Sequence, residues 1–492
     1  MIRLATVFSG IGAIEHALKR LNIEHEIVFA CDNGDVDILS KKFKNKNIET
    51  LLDGISEIKI EIKNSKTISK EIADNILNKV SMIEENVDKL NIKNKDKKIK
   101  EYCDQLSMLF ERLNTAIILG ELNKIPSYEE KKQYVDNLYA KHRKRNKVMD
   151  SYFANYQISQ SNFHWNISFL DGKQYTDKVD LLVGGSPCQS FSLVGKQRGL
   201  QDTRGTLFYE FARLISEIKP KVFIYENVKA VLSNDNGMTW EVMTKVFNDL
   251  GYDWKFSILN AKDYGIPQNR ERVFVVGFRE DLKVTDFKFP KPIELNTTMK
   301  DYLIDNVSGK YYLNKKGVEF VTSEKNLSKR YTQIDGDIQL CQKKNQQFNW
   351  HGDFRFVEEN KDMEKTMQDL EKYFLSEKVK KYVLSSGTKG FYSKPKVDLD
   401  VARPLLTTMH KMHRAGVDNY VTTQGRLRKL TPRECLRLMG FCDSFKIVVS
   451  DTSMYQQSGN SIVVDVLMEV MQSIFDVYEF EDEKKGLRVV NE

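Results

Sequence analysis

Short apolar segments that end in glycine or in an acidic residue alternate with helical segments along most of this chain. That alternation restricts the fold more than any other feature. Leu4-Ala5-Thr6-Val7-Phe8 reads as a strand followed by Ser9-Gly10-Ile11-Gly12, with a helix over Ala13–Leu21. Glu26–Cys31 is a second strand ending at Asp32, and Val179–Val183 a third that breaks at Gly184-Gly185. A helix over Leu207–Ile218 precedes a strand over Lys221–Tyr225 that ends in Glu226-Asn227. A helix over Met238–Leu250 then leads to strands over Trp254–Asn260 and Arg272–Phe278. Strands and helices in this order predict an α/β fold with an open, mostly parallel sheet. Such sheets bind ligands beyond the carboxyl ends of their strands. Ser9–Gly12, Asp32, Gly184–Gln189 and Glu226-Asn227 all fall at such ends.

The alternation is interrupted twice. Residues 41–150 contain two glycines and one proline, and hold 24 Lys+Arg against 18 Asp+Glu. The other 382 residues hold 52 against 51, so nearly all of the chain's net charge of +7 lies in this stretch. Ile72, Ile76, Val80, Ile83, Val87 and Leu90 recur at helical spacing, as do Tyr102, Leu106, Leu109, Leu113 and Ile117. The polar run Asn91–Lys98 between them reads as a turn, and a third helix is expected near Tyr128–Val148. The stretch is thus predicted to be a helical insertion. Its charges fit solvated helix faces or a contact to DNA or another subunit, with Lys141-His142-Arg143-Lys144-Arg145 the best candidate for contact. From about Asp286 to Phe445 the alternation stops again, in a region rich in Lys, Tyr, Thr and Gln. Thr431-Pro432-Arg433-Glu434 opens a helix with an N-cap, a proline at the first position and a capping glutamate. A last amphipathic helix is expected over Ser461–Val477.

At 492 residues with 41% apolar composition, the chain can bury a large core in two or three domains. Six cysteines without a CxxC pair argue against a disulfide scaffold or a zinc ribbon. No apolar run reaches the roughly 18 residues of a spanning helix, and the N-terminus lacks a secretory apolar region. A cytoplasmic protein is the expectation.

Several residues carry chemistry. Gly10 and Gly12 after a strand let a ligand approach the backbone at a helix N-terminus, although without GxGxxG spacing the turn equally suits a plain connection. Asp32 could hold a ribose diol or simply cap a loop. Cys188 follows a proline at a strand end in the loop Gly184-Gly185-Ser186-Pro187-Cys188-Gln189-Ser190-Phe191-Ser192, a setting that suits a nucleophile better than a core position. Glu226 could act as a general acid toward a substrate nitrogen, and the arginines of Gln268-Asn269-Arg270-Glu271-Arg272 could bind a ligand oxygen. Taken singly, a loop glutamate and surface arginines are the ordinary readings. His410 and His413 lack Cys or carboxylate partners at ligand spacing, and no metal is expected.

In order and spacing these motifs, with RKLTPRECLRLMGF and QQSGNS further on, resemble the DNA (cytosine-5)-methyltransferase family. The run GKQRGLQDTRGTLFYEFARLISEIKPKVFIYENVK is similar to compact bacterial modification enzymes of restriction-modification systems. The resemblance covers residues 1–40, 162–290 and 403–475. It implies a Rossmann-like methyltransferase domain (1–40, 151–286 and 454–492), a helical insertion (41–150) and a smaller irregular target-recognition domain (287–453). It also implies S-adenosyl-L-methionine as cofactor, double-stranded DNA as substrate and a separately encoded cognate restriction endonuclease as partner, with no membrane. By resemblance Cys188 adds to C6 of a flipped cytosine, Glu226 binds the N3 and N4 edge, Arg272 binds O2, and Arg270 supports that pocket. Phe8, Gly10, Gly12, Asp32 and Asn460 match cofactor-binding positions. Asn166 stands where the family often has an acidic residue near the adenine amino group; its amide oxygen can accept the same hydrogen bond. The loop Gln189–Thr206, with Gly195, Gly199 and Gly205 as flexible points, would close on the flipped base, its Lys196, Arg198 and Arg204 suiting phosphate contact. Lys389, Phe391, Tyr392, Lys394, His410, Lys411, His413 and Arg414 would read the major groove. A transfer RNA cytosine-5 methyltransferase and a catalytically inactive DNA-binding relative are the alternatives.

Overall fold

The computed structural model describes residues 1–43, 45–88, 95–142, 144–187, 207–304, 313, 315–329, 331–334, 339–342, 350–354, 399–402, 420–423 and 426–480. Cys188, the loop 189–206, the groove-reading candidates Lys389 to Arg414, Arg143 and the turn residues 91–94 lie outside them.

Seven strands form the central sheet: β1 (Ile2–Val7), β2 (His25–Cys31), β3 (Phe163–His164), β4 (Leu181–Gly184), β5 (Val222–Val228), β6 (Tyr252–Asn260) and β7 (Glu271–Arg279), in the order β3-β2-β1-β4-β5-β7-β6. All neighbouring pairs are parallel except those made by β7, which runs antiparallel between β5 and β6. The chain builds outward from β1 to one edge, then returns to β4 on the other side of β1. The β1/β4 boundary is therefore the switch point at which such sheets hold ligands.

The period of two along the strands divides the core. Ile2 and Leu4 of β1, Val222 and Ile224 of β5, and Phe274, Val276 and Phe278 of β7 face one apolar layer. Ala5 and Val7, Phe223 and Tyr225, and Val273 and Val275 face the other. The first layer is completed by α1 (Ala13–Arg20) and by the last helix, which spans Val464–Phe475 rather than the expected Ser461–Val477. The preceding segment Asp451–Asn460 is a separate helix. The second layer is closed by Leu207–Ile218 and Met238–Asn248. β5 continues through Glu226 and Asn227 to Val228, paired with β7 to the end, so these two residues sit on a rigid ladder rather than on a loop.

Residues 41–150 contain α2 (Ile48–Asn64), α3 (Lys70–Asp88), α4 (Lys95–Leu122) and α5 (Tyr128–Ala140). The stripes at Ile76, Val80, Ile83 and Val87 and at Leu106, Leu109 and Leu113 pack together with Leu51, Ile55 and Ile58 of α2, a helix that periodicity does not single out. The third helix stops at Ala140, and α6 (Lys147–Asn155) follows as a separate element. α5 belongs to a different cluster, in which Val135 and Tyr139 pack with Val36, Leu122, Trp165 and Phe169, so this helix docks beside β3. Of residues 287–453, the helix Pro432–Arg437 opens with the expected cap: Thr431 Oγ1 accepts from Glu434 N at 3.2 Å, and Glu434 accepts from Thr431 N at 2.7 Å.

Candidate active site

The turn after β1 is strained and partly open. Phe8 has φ 53°, unusual for an aromatic residue and worth a functional question. Gly10 has φ 54°, and a Cβ there would meet only Phe8 O, at 3.9 Å, so one side of the turn is free for a ligand. Gly12 differs. Its φ of 75° demands glycine, and its Cβ position is occupied by the ring of Tyr156, whose hydroxyl donates to Gly12 O at 2.7 Å and to Ile11 O at 3.0 Å. Gly12 thus serves packing against Tyr156. Asp32, at the end of β2, accepts from Gly10 N at 3.0 Å and from Gly34 N at 2.8 Å. It remains half-buried. Asn166 follows β3 with Oδ1 accepting from Ser168 N at 2.9 Å and Nδ2 donating to Tyr139 Oη at 3.0 Å. Asn460 ends its helix and is exposed, with no side-chain hydrogen bond among the described residues.

A second group gathers at the ends of β4 and β5. Gly185 lies against Glu226: a Cβ there would sit 2.8 Å from Glu226 O and 3.0 Å from Glu226 Oε2. Only glycine allows the loop leading to Cys188 to press on this carboxylate. Ser186 is buried and its Oγ lies 2.7 Å from Tyr225 Oη. Asn227 Nδ2 donates to Tyr225 Oη at 2.7 Å and to Ser186 O at 3.1 Å. The backbone two residues before Cys188 is therefore pinned to β5 from below. Local sequence pattern gives no role to Ser186, Tyr225 or Asn227. The available signal is the period of β5, which turns a buried amide into the layer beneath the loop, where it must find partners.

Glu226 Oε1 pairs with Arg272 Nε at 3.0 Å, with 13% and 14% of the two side chains exposed. Burial raises the Glu226 carboxyl above the ordinary range, although Arg272 and Arg270 oppose this. For Arg272, burial is outweighed by Cys341 and Glu226, which hold its guanidinium above the usual value. Arg272 also donates to Glu271 O at 2.8 Å and to Cys341 Sγ at 3.4 Å. Val228, Lys229, Ala230, Asn269, Glu271, Arg272 and Cys341 line an open cleft beside the pair. Arg270 points elsewhere. Its buried guanidinium donates to Gln342 O at 2.6 Å, Gly459 O at 3.2 Å and Ser461 O at 2.9 Å. It ties β7 to the turn carrying Asn460, and burial together with Arg272 lowers its pKa to about 10. Among the described residues no group of three or more His, Cys, Asp and Glu could hold a metal ion, and no helix is long and apolar enough to cross a membrane.

A glycine turn and an acidic side chain at the switch point, with a buried carboxylate–guanidinium pair two strands away, form a candidate active site of the open α/β class. The C-5 cytosine-specific DNA methylase family model matches residues 127–476, and the chain belongs to that family. It is 36% identical over 301 residues to the type II methyltransferase M.HhaI of Haemophilus parahaemolyticus, covering 60% of this chain and 75% of the relative. It is 32% identical over 320 residues to the type II methyltransferase M1.ScrFI of Lactococcus lactis subsp. cremoris, covering 64% and 67%. With the orphan methyltransferase M.SPRI of Bacillus phage SPR it shares 30% identity over 397 residues, covering 67% and 90%. The protein is a DNA (cytosine-5)-methyltransferase, which requires a methyl donor and takes DNA as substrate.

Proposed function

We propose that the enzyme methylates C5 of a cytosine flipped out of duplex DNA, with Cys188 as nucleophile and S-adenosyl-L-methionine as donor. The observation that carries this reading is the 3.0 Å Glu226–Arg272 pair, set directly against the glycine that leads into Cys188. Cytosine C5 is too weak a nucleophile to take a methyl group unaided. Addition of the Cys188 thiolate to C6 breaks the C5–C6 double bond and makes C5 enamine-like. A proton held by Glu226 at N3 offsets the negative charge that develops on the ring, and a closed, poorly solvated site favours that protonated form. Arg272 orients the base through O2 while keeping Glu226 in place. Once C5 carries the methyl group, loss of the C5 proton to water and expulsion of Cys188 restore the double bond and the free thiolate, and N3 returns its proton to Glu226.

The donor fits the switch-point residues. Gly10 leaves the turn open, Asp32 offers a half-buried carboxylate for a ribose diol, Phe8 offers an apolar ring, and Asn166 and Asn460 offer amides. Bound there, S-adenosylmethionine would supply an electrophilic methyl group. Gly12 and Arg270 act one step back, Gly12 by seating Tyr156 and Arg270 by fixing the Asn460 turn. The type II relatives favour a restriction-modification role in the cytoplasm, with a cognate endonuclease as partner, whereas the phage relative is named an orphan methyltransferase. Methyl transfer from labelled donor to duplex DNA and to transfer RNA tests the reading. Label entering only DNA supports it, and label entering only transfer RNA refutes it.

A further inference from the structure

A carboxylate that the proposed reaction does not use lies behind the turn that would hold the donor. Glu15, in the first turn of α1, is buried. Its Oε1 accepts from Thr6 Oγ1 at 3.1 Å and from Tyr152 Oη, and its Oε2 has no hydrogen-bond partner among the described residues. Thr6 Oγ1 and Ser9 Oγ are 2.8 Å apart, and Ser9 opens the turn whose Gly10 leaves one side free for a ligand. Two hydrogen bonds thus link the carboxylate to this turn.

Among the described residues no cationic side chain pairs with Glu15. The titratable groups facing it are Tyr152 of α6 and Tyr156 just beyond that helix; burial and Glu15 itself raise both hydroxyls well above the ordinary tyrosine range. On its own helix His16 turns to Cys442 N, Arg20 pairs with Asp465, and Lys19 is exposed. The other carboxylate at the turn, Asp32, accepts from Gly10 N. The charge of an ionised Glu15 is therefore not cancelled locally, and in a poorly solvated interior its field reaches across the turn. The proposed donor and its product differ in charge at one atom. S-adenosylmethionine carries a sulfonium cation, whereas S-adenosylhomocysteine, left after methyl transfer, has a neutral thioether. Their amino, carboxyl and adenosine groups are the same.

We infer that Glu15 is a specificity-determining residue of the donor site, whose ionised form favours the sulfonium donor over the neutral product. This rests on the assignment of the turn after β1 and of Asp32 to the donor. By linkage, binding of the donor expels the Glu15 proton to solvent and binding of the product does not. Burial raises the Glu15 carboxyl to about 7, so the exchange falls at working pH. Calorimetric titration in buffers of different ionisation enthalpy counts the protons. With the wild-type enzyme near neutral pH, S-adenosylmethionine should release roughly half a proton more than S-adenosylhomocysteine. From about pH 5.5 to about pH 8 the ratio of product Kd to donor Kd should rise about three- to tenfold. Glu15→Gln, neutral and of the same shape, should bind both ligands with neither effect. Equal proton counts for the two ligands in the wild type, or a pH-dependent ratio that persists in Glu15→Gln, overturns the inference; the wild-type count needs no variant. Asp32→Ala separates the two levels. If it leaves donor Kd unchanged, the donor-site assignment itself fails; if it weakens donor binding while the wild-type counts are equal, only the role of Glu15 fails.

Discussion

At the scale of single residues, buried ionisable groups shape both chemistry and stability. Glu226 holds its proton to higher pH than a free carboxyl because burial outweighs the two nearby arginines. Glu226→Gln keeps a neutral side chain of the same shape but cannot move a proton to N3. Its kcat should fall about 10²- to 10⁴-fold with DNA affinity largely retained, as read by single-turnover kinetics. A fall of less than about tenfold would remove Glu226 from the proposed acid role. Glu15 also affects stability. It is buried on α1, accepts from Thr6 Oγ1 at 3.1 Å and from Tyr152, and burial raises its pKa to about 7. Between pH 4.5 and 7 the unfolded chain releases this proton while the folded one keeps it, so stability falls as pH rises through that window. Glu15→Gln should remove this dependence, worth on the order of 3 kcal/mol at most, and flatten Tm against pH in thermal melts. His16 acts in the opposite sense. Burial lowers its pKa to about 4, so the neutral ring, whose Nε2 accepts from Cys442 N at 3.0 Å, stabilises the fold above pH 6.5 and loses that contribution as pH falls toward 4.

At the scale of elements, the site depends on how strand ends are held. Asn227 joins β5 to the loop after β4 through Tyr225 and Ser186. Asn227→Ala leaves buried polar partners unsatisfied and should cost about 1–3 kcal/mol in chemical denaturation. Because the Cys188 loop hangs from the same bonds, kcat should fall as well; a stability loss with wild-type kcat would show that the loop is held in some other way. The strands were legible because each is a short apolar run ended by glycine or an acidic residue, and the two core layers follow from their period of two. The site was legible as residues but less so as pairings. Arg272 lies on β7 and Arg270 just before it, two positions apart, yet Arg270 bonds backbone carbonyls of the Gly459–Ser461 turn and Arg272 a carboxylate. Which guanidinium meets which partner depends on segments far apart in sequence, such as Gln342 and Ser461, that local pattern does not reveal. The same holds for Gly12, where the Tyr156 ring adds a second restriction to that of its positive φ, and for α2, whose burial surface appears only once α3 and α4 pack on it.

At the scale of the whole molecule, helices α2–α4 hold 9 Lys+Arg against 14 Asp+Glu, so the excess positive charge of residues 41–150 lies outside them, chiefly in 41–47 and 141–147. The insertion docks beside β3, the edge strand, whereas Glu226 and Arg272 lie on β5 and β7, four and five strands away. At about 4.8 Å per strand this is roughly 19–24 Å, at least twice the screening length at physiological salt. Replacing the exposed Lys97, Lys98 and Lys100 of α4 with Gln should therefore leave the salt dependence of DNA binding unchanged. Each lysine that touches a phosphate adds about 0.9 to the slope of log K against log salt, so a slope shallower by about 2.7 in the triple variant would show that α4 touches DNA. The central claim, that the sheet ends present Cys188 for covalent attack on a flipped cytosine, has a direct measurement. The enzyme is incubated with S-adenosylmethionine and duplex DNA carrying 5-fluorocytosine at the target, where fluorine in place of the C5 proton blocks release. A denaturation-resistant protein–DNA adduct attached at Cys188, absent in Cys188→Ala, is the expected result. Wild-type rates of methyl transfer to ordinary DNA by Cys188→Ala, or an adduct mapped to another residue, would contradict it.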